Sequence, residues 1–386
     1  MKNTDMDWHK DMKTLRHHPF TLIMTALILA GFIGYIFGVD GEFSESENRY
    51  LAKRPAFSIR ALADGSFMEQ FELYTKEQLP LRDILIKLKA FTGGVMLKNE
   101  NNGIVLGRDG YLFEKLVSTG EQLDKNKAAI EAFAGQAGRD IYVCIVPNSY
   151  EILKDRVPAG FPGISQEAYI NDLYAGLEDN DNVSTVDLYG ILTEHSDEYI
   201  YYRTDHHWTT RGAYYGYLGL CEDMGLDPVT LNDLSSKGEE VSGFCGTYYS
   251  KYKGMGAMPD ILTYYDIPVR HFEAGGTVYD SMYDLEKLKI YDKYAMFMHG
   301  NEGISIIESE DDGRDKRDEL ILFKDSYSNC LIPFLTYDYD RIIVVDLRYY
   351  ADSVKGLIGE HSGADVLLLY NFMHFNEDNH FYRLTG

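Results

Sequence analysis

The most continuous hydrophobic pattern lies at residues 19–39, PFTLIMTALILAGFIGYIFGV, which carries no charge. A helix rising ~1.5 Å per residue over that length matches a hydrocarbon layer roughly 30 Å thick, so the pattern predicts a transmembrane anchor. Further along, short apolar runs rich in β-branched residues alternate with helical spacing: IYVCIVP (141–147), VSTVDLY (183–189), LILFKDS (320–326), RIIVVD (341–346) and DVLLLYN (365–371). That alternation predicts an α/β fold with a parallel central sheet covered by helices on both faces. Ala213, Tyr217, Leu220, Cys221 and Met224 recur at helical spacing after Thr209 and Thr210, either of which caps such a helix. Asp205 to Trp208 therefore fall on a loop entering it. Residues 235–318, rich in Gly, Tyr and Asp, are expected to form loops and short strands inserted into the sheet.

The remaining pattern divides the chain. Residues 1–18 are expected as a cytoplasmic tail and 19–39 as the anchor; residues 40–99 form a stalk and accessory helical region, and 100–386 the catalytic domain. The stalk begins with FSESENRYLAKRPAFS, containing Pro55, and continues into an amphipathic stretch from Phe67 to Phe91 interrupted at Leu79-Pro80-Leu81. The catalytic domain opens near GRDGYLF (107–113), a turn signal followed by a strand-like run. Lys2, Lys10, Lys13 and Arg16 precede the anchor, whereas Asp40, Glu42, Glu45 and Glu47 follow it before Arg49. The basic side stays in the cytoplasm, which places the bulk of the chain outside the cell membrane. The run is also longer than the ~7–15 residue apolar core of a cleaved signal peptide, and no A-x-A-like site follows it.

Charge narrows the function. A formal net charge of -24 leaves no concentration of Lys and Arg for phosphate backbones, which argues against nucleic acid as a partner. Cys144, Cys221, Cys245 and Cys330 form no C-x-x-C pair, leaving disulfides outside the cell and buried thiols both open.

In a parallel sheet, ligands collect beyond the carboxyl ends of the strands, so polar residues that end apolar runs are the first candidates. LILFKDS ends in Ser326 at a strand-to-helix turn, a position suited to a nucleophile whose attack creates an oxyanion. A serine needs a base and a group to orient that base, and Asp205-His206-His207-Trp208 supplies both types. Residues two apart on an extended loop point to the same side, so His207 is the candidate base and Asp205 its orienter. Asp205, His206 and His207 are also metal-ligating types, but no second ligand cluster accompanies them in the sequence.

The block TDHHWTTRGAYYGY (204–217) resembles the motif of the DHHW protein family, which is related to SGNH-hydrolase-like proteins that O-acetylate alginate outside the cell membrane. FSESENRYLAKRP, QLPLRD (78–83), GRDGYLF and FKDSYSN (323–329) are similar to family landmarks in the same order, over nearly the whole chain beyond the anchor. The resemblance implies an SGNH-hydrolase-like three-layer sandwich, circularly permuted, with a catalytic triad of Ser326, His207 and Asp205. In the permuted order, the strands after the nucleophile end at Arg348 and Asn371. Asn371, with the Ser326 N–H, is expected in the oxyanion hole, and Arg348 against substrate or oxyanion. Ser328 and His206 are weaker substitutes within the same motifs. Two departures stand out: Lys324-Asp325-Ser326 replaces Gly-Asp-Ser, and the acid and base are spaced D-x-H rather than D-x-x-H.

The resemblance thus implies an extracytoplasmic O-acetyltransferase acting on a cell-surface or secreted polysaccharide through an acetyl-serine intermediate. A carbohydrate acetylesterase with the same triad and a non-catalytic polysaccharide-binding scaffold are the alternatives. With neither a Gly-rich phosphate loop nor a coenzyme A site in the sequence, no cofactor is expected. A membrane-bound O-acyltransferase partner is expected to supply the acetyl group. The 31 tyrosines and Trp208 offer stacking surfaces for a glycan.

Overall fold

The computed structural model describes residues 19–44, 49–96, 98–177, 180–234 and 238–386. The expected cytoplasmic tail at 1–18, with its basic residues, and Glu45 and Glu47 lie outside them. The chain divides into two compact units, residues 1–92 and 93–386.

In the first unit, Pro19–Phe37 is a helix without acidic or basic residues in its end turns. Among the described residues no helix is long and apolar enough to cross a membrane, so the structure does not bear out the expected span. Short helices follow at Ile59–Ala63 and Ser66–Glu77. Gln78 ties the segment after the first helix to them: its side-chain amide donates to the Gly41 and Ala52 carbonyls at 2.9 and 3.0 Å and accepts from the Gly41 N–H at 2.9 Å.

The second unit is built on an eight-stranded sheet. Its strands are β1 (Ile141–Val146), β2 (Val183–Val186), β3 (Val269–Ala274), β4 (Thr277–Tyr279), β5 (Ile304–Ser309), β6 (Arg317–Lys324), β7 (Tyr339–Val345) and β8 (Asp365–Asn371), in the spatial order β4-β3-β5-β7-β6-β8-β1-β2. All five apolar runs of the sequence occupy the contiguous parallel part, β7-β6-β8-β1-β2. Consecutive residues of β6 and β8 are buried from Leu320 and Val366 onward, which requires cover on both faces. By contrast, β5 alternates buried and half-buried positions.

The sheet is mixed, which corrects the expected parallel one. The short strands expected within residues 235–318 join the sheet: β3 pairs antiparallel with β4 and β5, and β5 pairs antiparallel with the free edge of β7. Gly275 and Gly276, with φ of 57° and 79°, make the two-residue turn between β3 and β4, a backbone that L side chains resist.

Counted from β6, the parallel strands stand in the doubly wound order 2-1-3-4-5, with the fourth and fifth preceding the first in the chain. The order reverses between β6 and β8, so the crevice beyond their carboxyl ends lies where Ser326 and Asn371 emerge. The four cysteines are free, and Cys144, Cys221 and Cys330 are buried.

Candidate active site

Trp208 and the helix Thr210–Met224 fix the loop carrying Asp205 and His207. Thr209 caps that helix, its hydroxyl accepting from the Gly212 N–H at 3.2 Å, and Gly225 ends it with φ 66°. A Cβ on Gly212 would stand 2.1 Å from the Ile200 carbonyl oxygen, so glycine is what lets the helix seat against the loop. The loop closes on itself through the Tyr201–Trp208 bridge and the bond from the Tyr202 N–H to the His207 carbonyl at 3.2 Å. Trp208 is buried and its indole N–H donates to the Tyr327 carbonyl at 2.8 Å, joining this loop to the turn after β6.

Asp260, fully buried at the start of a strand, holds the same loop from below. Its carboxylate accepts from Tyr199 Oη, the Arg203 N–H, the Thr204 N–H and Thr204 Oγ1 at 2.5, 2.7, 2.8 and 2.5 Å. Burial drives its pKa up against those donors.

With the loop held this way, His207 Nε2 lies 2.8 Å from Ser326 Oγ, and His207 Nδ1 lies 2.5 Å from Asp205 Oδ1. Asp205 Oδ1 also accepts from the His207 N–H at 3.0 Å, and Oδ2 from the Thr247 N–H and hydroxyl at 2.7 and 3.0 Å. Burial alone would raise the Asp205 carboxyl, but His206, His207 and these donors outweigh it and hold it well below the usual carboxylate range. An ionised Asp205 fixes the proton on Nδ1, leaving Nε2 as the acceptor that faces the serine hydroxyl. Tyr294 lies flat on the His207 ring, 3.7 Å between centroids, while its hydroxyl donates to the Ser326 carbonyl at 2.9 Å.

Ser326 opens a short 3-10 turn whose cap is Asp325. Asp325 accepts from the Tyr327 N–H at 2.9 Å and the Asn371 N–H at 2.8 Å, tying the ends of β6 and β8 together. The Ser326 N–H carries no hydrogen bond among the described residues. Asn371 accepts at Oδ1 from Met373 N–H and Asn148 Nδ2 at 3.1 and 3.0 Å, and donates from Nδ2 to the Val146 carbonyl at 3.1 Å. These bonds fix the amide orientation and leave one N–H of the amide. Arg348 is held by Asp346 through two bonds of 2.8 and 2.6 Å. Ser326, Asn371 and Arg348 line one cleft of about 260 Å³, together with Asn148, His206 and His374. Ser328 instead turns inward toward the Leu369 carbonyl, at 3.4 Å.

Asp205, His206 and His207 present ligand-type atoms within 4.8 Å of one another. Those atoms are already committed: His207 to Asp205 and Ser326, and His206 Nδ1 to Thr247 Oγ1 at 2.6 Å. The set fits a hydrogen-bonded relay better than a metal.

Lys324 runs behind the turn, away from the cleft, donating to Asn301 and Asn329 at 2.9 and 2.7 Å with Asp346 at 3.8 Å. Burial pushes its pKa down to about 8, opposed by Asp346. The unfolded chain therefore holds this proton more tightly between pH ~8 and ~10.5, and stability rises with pH across that window. Compared with Lys324→Met by denaturant unfolding, the parent should gain on the order of 2 kcal/mol between pH ~7 and ~10. An unchanged difference would show that Lys324 is not buried as a cation.

Thr247, Asp260, Tyr294 and Asn148 were not singled out in the sequence. Asn148 carried a signal, since it follows the apolar run 141–147 just as Ser326 ends its own run. The others come from the inserted region and lack any periodic mark.

Set beside known proteins, residues 103–345 match the DHHW protein family. The landmarks at 43–55 and 78–83 precede that span, and Arg348 and Asn371 follow it. The chain is 24% identical over 196 residues to the probable alginate O-acetylase AlgJ of Pseudomonas aeruginosa, a match covering 48% of each. It thus spans about half the length of that curated relative. It resembles the crystal structure of a DHHW family protein from Eubacterium siraeum, with a TM-score of 0.62 and 26% identity over 74% of this chain and 96% of that one. PatB1 of Bacillus cereus shares the fold, with a TM-score of 0.57 and 16% identity over 71% and 97%. By its DHHW block and by a family match reaching across most of the second unit, the chain belongs to the DHHW protein family.

Proposed function

We propose that this protein is an O-acetyltransferase that moves an acetyl group onto a hydroxyl of an extracytoplasmic polysaccharide through an acetyl-Ser326 ester. The observation that carries the reading is the unbroken relay from Ser326 Oγ to His207 Nε2 and from His207 Nδ1 to Asp205, at 2.8 and 2.5 Å. The name of the AlgJ relative, a probable alginate O-acetylase, supports the acetyl group and the polysaccharide.

In the first half-reaction His207 Nε2 takes the serine proton as Oγ bonds to the acetyl carbonyl carbon. The bond to the donor's leaving group then breaks, and His207 returns the proton to it. An acetyl ester or thioester, presented by a membrane-bound O-acyltransferase partner, is the donor class. In the second half the acceptor hydroxyl gives its proton to His207, its oxygen bonds to the acetyl carbon, and Oγ leaves and regains the proton. The Ser326 N–H and the remaining amide N–H of Asn371 stabilise the oxyanion. Arg348, held by Asp346, contacts the substrate at the cleft. No side chain in this scheme calls for a cofactor.

Incubating the full chain with an activated acetyl ester, with and without glycan, tests the reading by mass spectrometry of the sugar product. Acetylated glycan formed only with Ser326 present supports the transferase; acetate alone, with glycan supplied, moves the assignment to an acetylesterase. Absence of Ser326-dependent turnover, even with the membrane partner supplied, leaves a scaffold.

The uncharged run at 19–39 supports a single-pass anchor that leaves the main domain outside the cell membrane. The full chain should then need detergent for extraction from membranes, and release by alkaline carbonate alone would rule the anchor out.

A further inference from the structure

We infer that the acceptor is an uncharged glycan, carrying hydroxyl or acetamido groups, and not a polyuronate. This rests on the acetyl-transfer reading and concerns the same cleft.

Three observations converge. First, the cations at the cleft are already neutralised within the protein. Arg348 is gripped by both oxygens of Asp346, and Lys251 pairs with Glu114. Glu377 stands exposed on the rim. A polymer bearing one carboxylate per sugar meets no uncommitted cation here, and each carboxylate it brings is desolvated without a partner.

Second, the uncommitted ring nitrogen of His206 at the cleft accepts hydrogen bonds. Thr247 gives its hydroxyl proton to Asp205 Oδ2, so its oxygen accepts from His206 Nδ1, and His206 Nε2 is left as an acceptor without a partner among the described residues. Burial pushes the His206 pKa down to about 3, aided by His207 and opposed by Asp205, which keeps that ring uncharged. His374, which also lines the cleft, has its Nε2 held by buried Asp378 at 3.0 Å. A carboxylate only accepts, so His374 Nε2 carries a proton directed at Asp378. Sugar O–H and acetamido N–H groups donate to an acceptor such as His206 Nε2, whereas an ionised carboxylate has nothing to donate.

Third, the formal net charge of -24 repels an approaching polyanion and lowers its rate of encounter at low ionic strength.

The test uses the full chain in detergent, with the Ser326→Ala variant for binding so that no acetyl transfer intervenes. Uncharged cello-, xylo- and chito-oligosaccharides are compared with oligouronates of equal length by calorimetric titration, at about 20 mM and about 300 mM salt. At least one uncharged oligosaccharide should bind with an affinity insensitive to salt. The oligouronates should bind at least tenfold more weakly at low salt and improve as salt rises. Glu377→Lys should raise oligouronate affinity severalfold and leave the uncharged ligand unchanged. Oligouronate binding that is as tight or tighter and weakens with salt overturns the inference, as does saturable binding by none of the uncharged set. Ser326-dependent hydrolysis of an activated acetyl ester by the parent, measured separately, reports on the acetyl-transfer reading. If hydrolysis is absent that reading fails, while the binding comparison still decides the ligand class.

Discussion

Ser326→Ala and His207→Ala should each lower turnover of an activated acetyl ester by on the order of 10⁴ to 10⁶-fold, and the double variant should be little worse than either single one. The two groups act as a unit: without His207 the serine hydroxyl keeps its proton, and without Ser326 the imidazole has no nucleophile to activate. Their 2.8 Å contact makes that coupling direct. Far-ultraviolet circular dichroism and the unfolding midpoint establish that each variant is folded. Additive losses in the double variant, or a His207→Ala enzyme within tenfold of the parent, would sink the relay. Under that result His206, whose ring centroid lies 3.8 Å from that of His207, becomes the base to examine.

The second large effect concerns the orienting acid. Asp205→Asn should cost on the order of 10⁴ in kcat with little change in KM, because an amide N–H facing His207 Nδ1 forces the proton onto Nε2, where it faces the serine instead of accepting from it. Gly246→Ala should produce a loss in the same direction by a different route. A Cβ at Gly246 would fall 2.1 Å from Asp205 Oδ2 and 2.3 Å from its Cβ, so the carboxylate must move out of line with His207. The pH profile separates the two variants. Asp205→Asn removes the group that stabilises the imidazolium, so its residual rate should climb at high pH, whereas Gly246→Ala keeps an ionised carboxylate and the parent's profile. A parent-like kcat in Asp205→Asn would remove Asp205 as the orienting acid, and one in Gly246→Ala alone would mean that Gly246 merely packs against it.

Four of the five parallel strands were legible because they are buried on both faces, which writes an apolar run bounded by polar residues directly into the sequence; β2 buries only Val186 and showed through its β-branched residues. The helix at Thr210–Met224 was legible for the corresponding reason at a period of 3.6, including its start, where Thr209 supplies the cap. The antiparallel extension was not: β5 buries one face only and β4 is three residues long, so their periodic signal is short and mixed with Gly, Tyr and Asp. The glycine pair at 275–276 was a hairpin signal, but it could not say which edge the hairpin would join.

The sequence by itself determined the five parallel strands and the helix at Thr210–Met224, the residue types of the relay, and, through the D-x-H spacing, which histidine shares a side with Asp205. Those are local properties, fixed by burial, capping and backbone period. Only the tertiary structure decided that His207 meets Ser326 from 119 positions away, that Asp260 and Thr247 hold the loop, and that Arg348 and Lys251 are neutralised before any substrate arrives. Such contacts depend on where long connections return across the sheet, and that path is set by the packing of the whole core.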